Sequence, residues 1–403
     1  MGAIELLKVE IPWIVALFFT QYRWMPPLLL SVYAILLPRE AHKIVYLWHN
    51  TPNALNTAAI FAGLTALAWV LHPLQGMQAT AVLLQLGSYS LLLRSQHLAF
   101  TWALIESGAI TGYFLAAGSQ TENRWQVALR YLIWSVMGSA LILLGVALRA
   151  MEGGGLTYPL KYSVVFADAL MSWGWSMKVG FIPWHAWVMS LYKGLPVVWA
   201  GWFAVVPKGA LLLSCLELFP SQGEGPSMGL FYLLASVSLI AGYAVAWNAS
   251  TPVEMLYWGT FSQAGYMALS ALPGGKSGWS FWQVYGIASF LSLLFTAQPW
   301  TSRGGLGIGL LLLANLAALP PVMGFWVKLA LFWDTFMGYR SFLQGITLAA
   351  AGVATIGGFA LYGKILWRLA QQEATVPQWG YRVLYMGAAL GLLGIGLMPW
   401  LGR

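Results

Sequence analysis

Apolar runs of about 15–25 residues, separated by short polar breaks, recur along the whole chain. Such runs are long enough to cross a bilayer core of ~30 Å as α-helices, and far longer than the ~10 residues of a barrel strand. They predict helices over about 5–22, 25–38, 54–72, 77–93, 97–118, 125–149, 162–182, 195–219, 227–247, 252–271, 279–298, 305–319, 321–337, 343–369 and 381–402. The first two flank Arg23 and Pro26-Pro27 and can be one kinked helix. The pair around Pro320-Pro321 can be one broken helix. The expected fold is all-α and polytopic, with about 14 transmembrane helices, or 13 if pairs merge. The longest loops are 38–53 and 150–161, so no soluble domain is expected.

Composition sharpens this reading. The 403 residues are 59% hydrophobic and 8% charged, against about 25% charged in soluble domains. The net charge of +8 does not point to nucleic acid, because the 20 basic residues are scattered singly over short loops. The lone Cys215 excludes an intrachain disulfide and a cysteine-ligated cluster. The N-terminus lacks the pattern of a cleaved signal, and the first helix is expected to act as its own insertion signal. Many tryptophans, among them Trp24, Trp48, Trp125, Trp184, Trp300 and Trp400, flank the apolar runs and read as interfacial anchors. No nucleotide-binding loop, haem site or paired-histidine metal motif is present, so no cofactor or metal is expected on this chain. Lysine and arginine counts on alternate loops leave the sidedness open.

Against that background, charges inside the runs stand out, because a lysine or glutamate at membrane depth costs roughly 2.5–3.5 kcal/mol or more. Glu106 lies mid-run in HLAFTWALIESGAITGYFLAAG. Lys178 precedes Gly180 and Pro183, Lys208 follows Pro207, and Lys328 follows Pro320, Pro321 and Gly324. Proline removes a backbone donor and exposes a carbonyl one turn back. In a membrane such breaks are tolerated where water, side chains or neighbouring helices take up the freed groups. Burial favours the neutral amine, and a nearby carboxylate favours the ammonium. A lysine that alternately gains and loses a glutamate partner can therefore bind and release a proton. Glu106 and Lys178 form the candidate pair. Arg130 reads as a fixed charge tuning that pair, since arginine does not deprotonate. His185 is either a proton relay or a satisfied polar residue at the break. Asp168 and Asp334 are weaker candidates, and Arg94 and His97 sit where an interfacial turn is expected. Snorkelling of a single lysine, or a charge pair serving assembly alone, is the alternative in each case.

These segments resemble a known family. KVGFIPWHAWVMSLYKGLP (178–196) is similar to the lysine-to-proline segment of the antiporter-like subunits of respiratory complex I. FSQAGYMAL (261–269), LPPVMGFWVK (319–328), LIESG (104–108) and VALRYL (127–132) resemble further segments of that family, in its order and spacing. The likeness covers about 77–370 and is greatest to the subunit N/NADH dehydrogenase subunit 2 type. The resemblance implies two inverted five-helix repeats, at 77–219 and 220–370, each with a broken helix. N-terminal transmembrane helices (1–76) precede them and a C-terminal one (371–403) follows. It implies that Glu106 and Lys178 are the coupling pair, Lys208 the central carrier and Lys328 the terminal carrier of a Glu/Lys row. The chain would be a non-redox, proton-translocating subunit of an NAD(P)H or ferredoxin:quinone oxidoreductase. Its partners would be other membrane-arm subunits, with quinone and iron–sulfur clusters held by those partners. Its location would be an energy-transducing membrane, bacterial inner or thylakoid-type. Val188-Met189-Ser190, Val253-Glu254 and Arg130 depart from the family pattern and leave the lysines intact. A multi-subunit Na+/H+ antiporter subunit and a membrane scaffold with inert charges remain as alternatives.

Overall fold

The computed structural model describes residues 14–17, 20, 25–36, 44–45, 48–49, 51–118, 123–157, 160, 164–218, 229–271, 277–297, 303–338 and 342–371. The expected span 381–402 lies outside them, as does most of 5–22. The helices are α1 (Met25–Leu36), α2 (Pro52–Leu71), α3 (Gly76–Leu92), α4 (Leu98–Ala117), α5 (Arg124–Met151), α6 (Val165–Val179) and α7 (Ala186–Gly194). They continue with α8 (Val197–Leu218), α9 (Gly229–Trp247), α10 (Pro252–Met267), α11 (Ser277–Thr296), α12 (Arg303–Ala317), α13 (Met323–Gly338) and α14 (Phe342–Ala370). Among the described residues the architecture is helical, apart from an isolated bridge between His97 and Thr157 and a pair of two-residue strands at 44–45 and 48–49. In these strands Ile44 pairs with His49 and Val45 with Trp48, antiparallel. Six of the described helices, α2, α4, α5, α8, α9 and α14, are long and apolar enough to cross a membrane.

The chain divides into two compact units, 1–231 and 232–403. In the first, α4, α5 and α6 pack in sequence order. The α5–α6 seam is built from small residues, which allow close backbone approach without a hydrophobic driving force. A Cβ on Gly138 would lie 2.9 Å from the Gly174 carbonyl, and one on Gly145 would lie 2.6 Å from that of Ala167. This antiparallel register places Ser135 of α5 beside Lys178 of α6. The outer face of α5, with Trp125, Leu129, Ile133 and Met137, is exposed and apolar.

Both predicted breaks are present. The α6 helix stops at Gly180, whose φ of +78° suits a residue without Cβ. Phe181 N–H bonds to the Ser176 carbonyl at 3.0 Å, and Gly180 N–H to Met177 and Ser176 at 3.2 and 3.1 Å. These paired bonds close the helix end at a left-handed residue. In the second unit, the Asn315 side chain braces the break between α12 and α13. Its amide accepts from Gly324 N–H at 3.1 Å and donates to the Leu311 carbonyl at 3.0 Å. By contrast α8 runs uninterrupted through Pro207.

The tryptophans divide between two roles. Trp125 is exposed at the start of α5, as an anchor would be. Trp175, Trp199 and Trp202 are fully buried. Their indole N–H groups donate to the Leu211 carbonyl, the His72 carbonyl and the Thr65 hydroxyl at 3.0, 3.0 and 2.7 Å. Interfacial anchoring does not account for these three.

Candidate functional site

In the first unit, Glu106 projects from the middle of α4 and Lys178 from the last turn of α6. The Lys178 ammonium lies 3.7 Å from Glu106 Oε2 and donates to Ser135 Oγ at 3.0 Å. Ser139, one turn further along α5, donates its hydroxyl to the same Glu106 oxygen. The lysine side chain is 3% exposed and the glutamate 24%. The ammonium is thus sealed within the unit, while the carboxylate reaches its edge. Two serines four residues apart on one face of α5 supply a polar contact to each partner.

Lys178 and Lys208 line one cavity, with Tyr89, Tyr131, Ser135, Trp187, Tyr192 and Phe203 among its walls. It leaves about 20 Å³ for water centres, room for a water molecule between polar groups. Lys208 is buried, and its ammonium lies 5.9 Å from the Tyr192 ring centroid. Pro207, also in the wall, has no N–H to give the Phe203 carbonyl one turn back. The helix nevertheless does not break there.

Lys328 belongs to the second unit, where α13 leaves the Asn315-braced break. It is buried, and its ammonium sits over the Tyr266 ring at 4.0 Å and near the Tyr285 ring at 5.8 Å. An ammonium facing desolvated aromatic rings is held by their quadrupoles. Tyr266 is fixed by its hydroxyl, which bonds to the Ala351 carbonyl and Thr355 Oγ1 at 3.2 and 2.9 Å.

The other charged and polar candidates take the following places. Arg130 is exposed and reaches Ser190 on α7 at 3.5 Å, away from the Glu106–Lys178 pair. Three residues beyond Val127 on a helix packed through Ala128 and Tyr131, it falls on the outward face. His185 caps α7, half-buried, with Nδ1 3.1 Å from the Pro183 carbonyl oxygen, and does not line the cavity. Ser262, in the FSQAGYMAL segment, donates to the Leu239 carbonyl of α9 at 2.8 Å and serves helix packing. Arg94 lies in the turn between α3 and α4, as expected; it is 2% exposed and bonds back to the Ser90 carbonyl at 3.0 Å. Asp168 forms a buried ion pair with Arg149 at 2.7 Å and accepts from Val164 N–H at 3.0 Å. That pair closes the far end of the α5–α6 seam and leaves Asp168 committed to structure. Asp334 is half-buried near the end of α13.

Sequence reasoning missed Ser135, Ser139, Tyr131 and Arg149. The signal for the serines was their four-residue spacing beside Gly138. The signal for Arg149 was its position late in one run, with Asp168 early in the next. Among the described residues, no three His, Cys, Asp or Glu side chains converge as metal ligands would.

The fold and site define a polytopic helical membrane protein with three buried lysines, of which Lys178 pairs with glutamate and Lys178 and Lys328 lie near helix breaks. Residues 95–298, just over half the chain, match the family described as NADH:quinone oxidoreductase/Mrp antiporter, TM, and the chain belongs to it. It is 28% identical over 334 residues to NAD(P)H-quinone oxidoreductase subunit 2 of Gloeobacter violaceus, covering 73% of this chain and 64% of that protein. It is 27% identical over 356 residues to NADH-quinone oxidoreductase subunit N of Xanthomonas euvesicatoria, covering 74% and 70%. The chain thus spans about two thirds of the length of these relatives. Its fold is similar to a chain of respiratory complex I from Thermus thermophilus, with a TM-score of 0.85, 20% identity and coverage of 100% and 98%. It is also similar to a chain of the Mrp complex from Dietzia sp., with a TM-score of 0.80, 16% identity and coverage of 98% and 51%.

Proposed function

We propose that this chain is a proton-translocating membrane-arm subunit of a complex I-type NAD(P)H or ferredoxin:quinone oxidoreductase. The observation that carries the reading is the 3.7 Å contact of Glu106 with Lys178, on a cavity that Lys178 shares with Lys208. When Glu106 draws close, it stabilises the Lys178 ammonium. When it turns away, the buried amine is left uncompensated and gives up its proton. Water in the cavity can then carry that proton to Lys208, since one hop spans only about a hydrogen bond of ~3 Å. Lys328 is the terminal carrier, in a second unit whose aromatic walls hold the ammonium. In this reading the full architecture has about 14 membrane helices. Inverted repeats at 77–219 and 220–370 lie between helices of 1–76 and 371–403. The chain holds no cofactor itself; other membrane-arm subunits accompany it in an energy-transducing membrane, and quinone and clusters belong to partners.

A second reading, a cation/proton antiporter subunit, is supported by the family's description, which names both classes, and by the Mrp-complex fold likeness. Relatives named as quinone oxidoreductase subunits favour the first. Copurification with iron–sulfur subunits supports the first, and sodium-dependent transport without them the second. The decisive test is Lys208→Met, which removes the charge and keeps the stem volume. It is expected to assemble and to lose proton translocation through this subunit. Unchanged proton-to-electron stoichiometry would show that Lys208 carries no protons.

A further inference from the structure

A polar stripe runs along α3 from its exposed start to the cavity. Gln78, Gln85 and Tyr89 are seven and eleven residues apart, which returns them to one helix face. At 1.5 Å per residue they span about 16 Å, roughly half a bilayer core. Gln75, Gly76 and Met77 are exposed at one end, and Tyr89 lines the cavity at the other. Between them Gln85 is completely buried. Its Nε2 donates to the Gly108 carbonyl at 2.9 Å and to Tyr89 Oη at 3.4 Å. Its Oε1 has no hydrogen-bond partner among the described residues. An unmet buried acceptor is costly, and such atoms are commonly served by buried water.

The facing helix is cut back at the same level. A Cβ on Gly108 would lie 2.6 Å from the Tyr89 ring. One on Gly112 would collide with the Tyr131 hydroxyl and lie 2.9 Å from Gln85 Nε2. Three polar side chains from α3 and α5 therefore converge where α4 carries no side chain, and two of them, Tyr89 and Tyr131, line the cavity. Val82, fully buried, lies on the same face between Gln78 and Gln85.

We propose that the α3–α4 seam is a water inlet to the lysine cavity, with Gln85 as its water-binding residue and the Tyr89 and Tyr131 hydroxyls as its relay. This rests on the proton-carrying reading of Lys208. Water enters past Gln78 and Val82 and hydrogen-bonds to Gln85 Oε1. Each tyrosine oxygen accepts a proton as its own proton passes on, so the ring is unchanged after transfer. A neutral lysine amine in the cavity takes the proton and becomes an ammonium.

The test uses the intact assembly in its membrane. In a Cys215→Ala background, Gln78→Cys, Gln85→Cys and Leu86→Cys are treated with the water-soluble methanethiosulfonate ethylammonium, and mass added to this chain is measured. Leu86 is equally buried but off the stripe. Positions 78 and 85 are expected to react from one membrane side, with 85 at least about tenfold faster than 86. Gln85→Leu and Tyr131→Phe are expected to lower proton translocation per electron about tenfold. Equal labelling at 85 and 86, or wild-type translocation in both Gln85→Leu and Tyr131→Phe, overturns the inlet. If Lys208→Met abolishes translocation while those two variants keep it, the inlet falls and the proton reading stands. If Lys208→Met keeps it, both fall.

Discussion

The Lys178 ammonium is nearer to Ser135 Oγ, at 3.0 Å, than to Glu106 Oε2, at 3.7 Å. The ion pair is therefore not closed to hydrogen-bond length on its own. A serine from the helix between them holds the cation, and a second serine, Ser139, holds the anion. This suits a pair that must separate, because each partner keeps a hydrogen bond when the other leaves. A buried pair without such support leaves an uncompensated charge when it opens.

Glu106→Gln tests this arrangement. The amide keeps the shape and can still accept from Ser139, so assembly is expected to be normal. The charge that draws Lys178 is gone, so translocation through this subunit is expected to fall at least about tenfold. Ser139→Ala is expected to reduce translocation less, since it leaves the charge and removes one hydrogen bond to a charged group, about 1.5–3 kcal/mol. Proton uptake in sealed vesicles, normalised to assembled complex, measures both. A Glu106→Gln complex that pumps normally would refute the coupling pair.

Arg149 and Asp168 should behave oppositely. Their side chains are 0% and 4% exposed at 2.7 Å, so removing one partner strands a charge at a cost of about 3–5 kcal/mol. Asp168→Asn is expected to lower thermal stability and accumulation of the assembly. Any complex that does assemble is expected to keep its translocation per electron. An apolar double replacement, Arg149→Met with Asp168→Leu, is expected to recover much of the lost stability. Normal accumulation of Asp168→Asn would mean that the pair is dispensable.

The helix pattern and both breaks were legible because apolar run length and proline position are local properties of the chain. The Glu106–Lys178 meeting was also legible, since each alone is costly at membrane depth. Lys208 was foreseen beside a break, yet α8 continues through Pro207, because one missing N–H can be tolerated by a packed helix. The serines, Tyr131 and Gln85 were not legible, because a polar side chain's role depends on which helix it faces. That is set by the α5–α6 register through Gly138 and Gly174, a relationship between distant segments. Arg130 was misplaced for the same reason: its residue type fixes its charge but not the helix face it occupies.

Gly324 should tolerate no side chain. A Cβ there would collide with the Asn315 carbonyl, a backbone atom that cannot swing away. The Gly324 N–H also anchors the Asn315 side chain. Gly324→Ala is expected to cost about 3 kcal/mol or more, read as reduced accumulation or a lower unfolding temperature in detergent. An alanine variant as stable as the parent would show that Asn315 is not the brace of the break.

Lys328 depends on the face of Tyr266, not on its hydroxyl. The ammonium lies 4.0 Å from the ring centroid, and a desolvated cation–π contact contributes about 2 kcal/mol. The hydroxyl points instead to Thr355 and Ala351 on α14. Tyr266→Phe keeps the ring and loses that anchoring, so it is expected to lower stability by about 1 kcal/mol while leaving translocation near normal. Tyr266→Leu removes the ring and is expected to impair translocation strongly. Proton translocation per electron separates the two variants, and unfolding temperature reports the anchoring independently. Equal translocation in the phenylalanine and leucine variants would show that the ring does not hold the cation. A selective loss in the phenylalanine variant would instead assign the role to the hydroxyl.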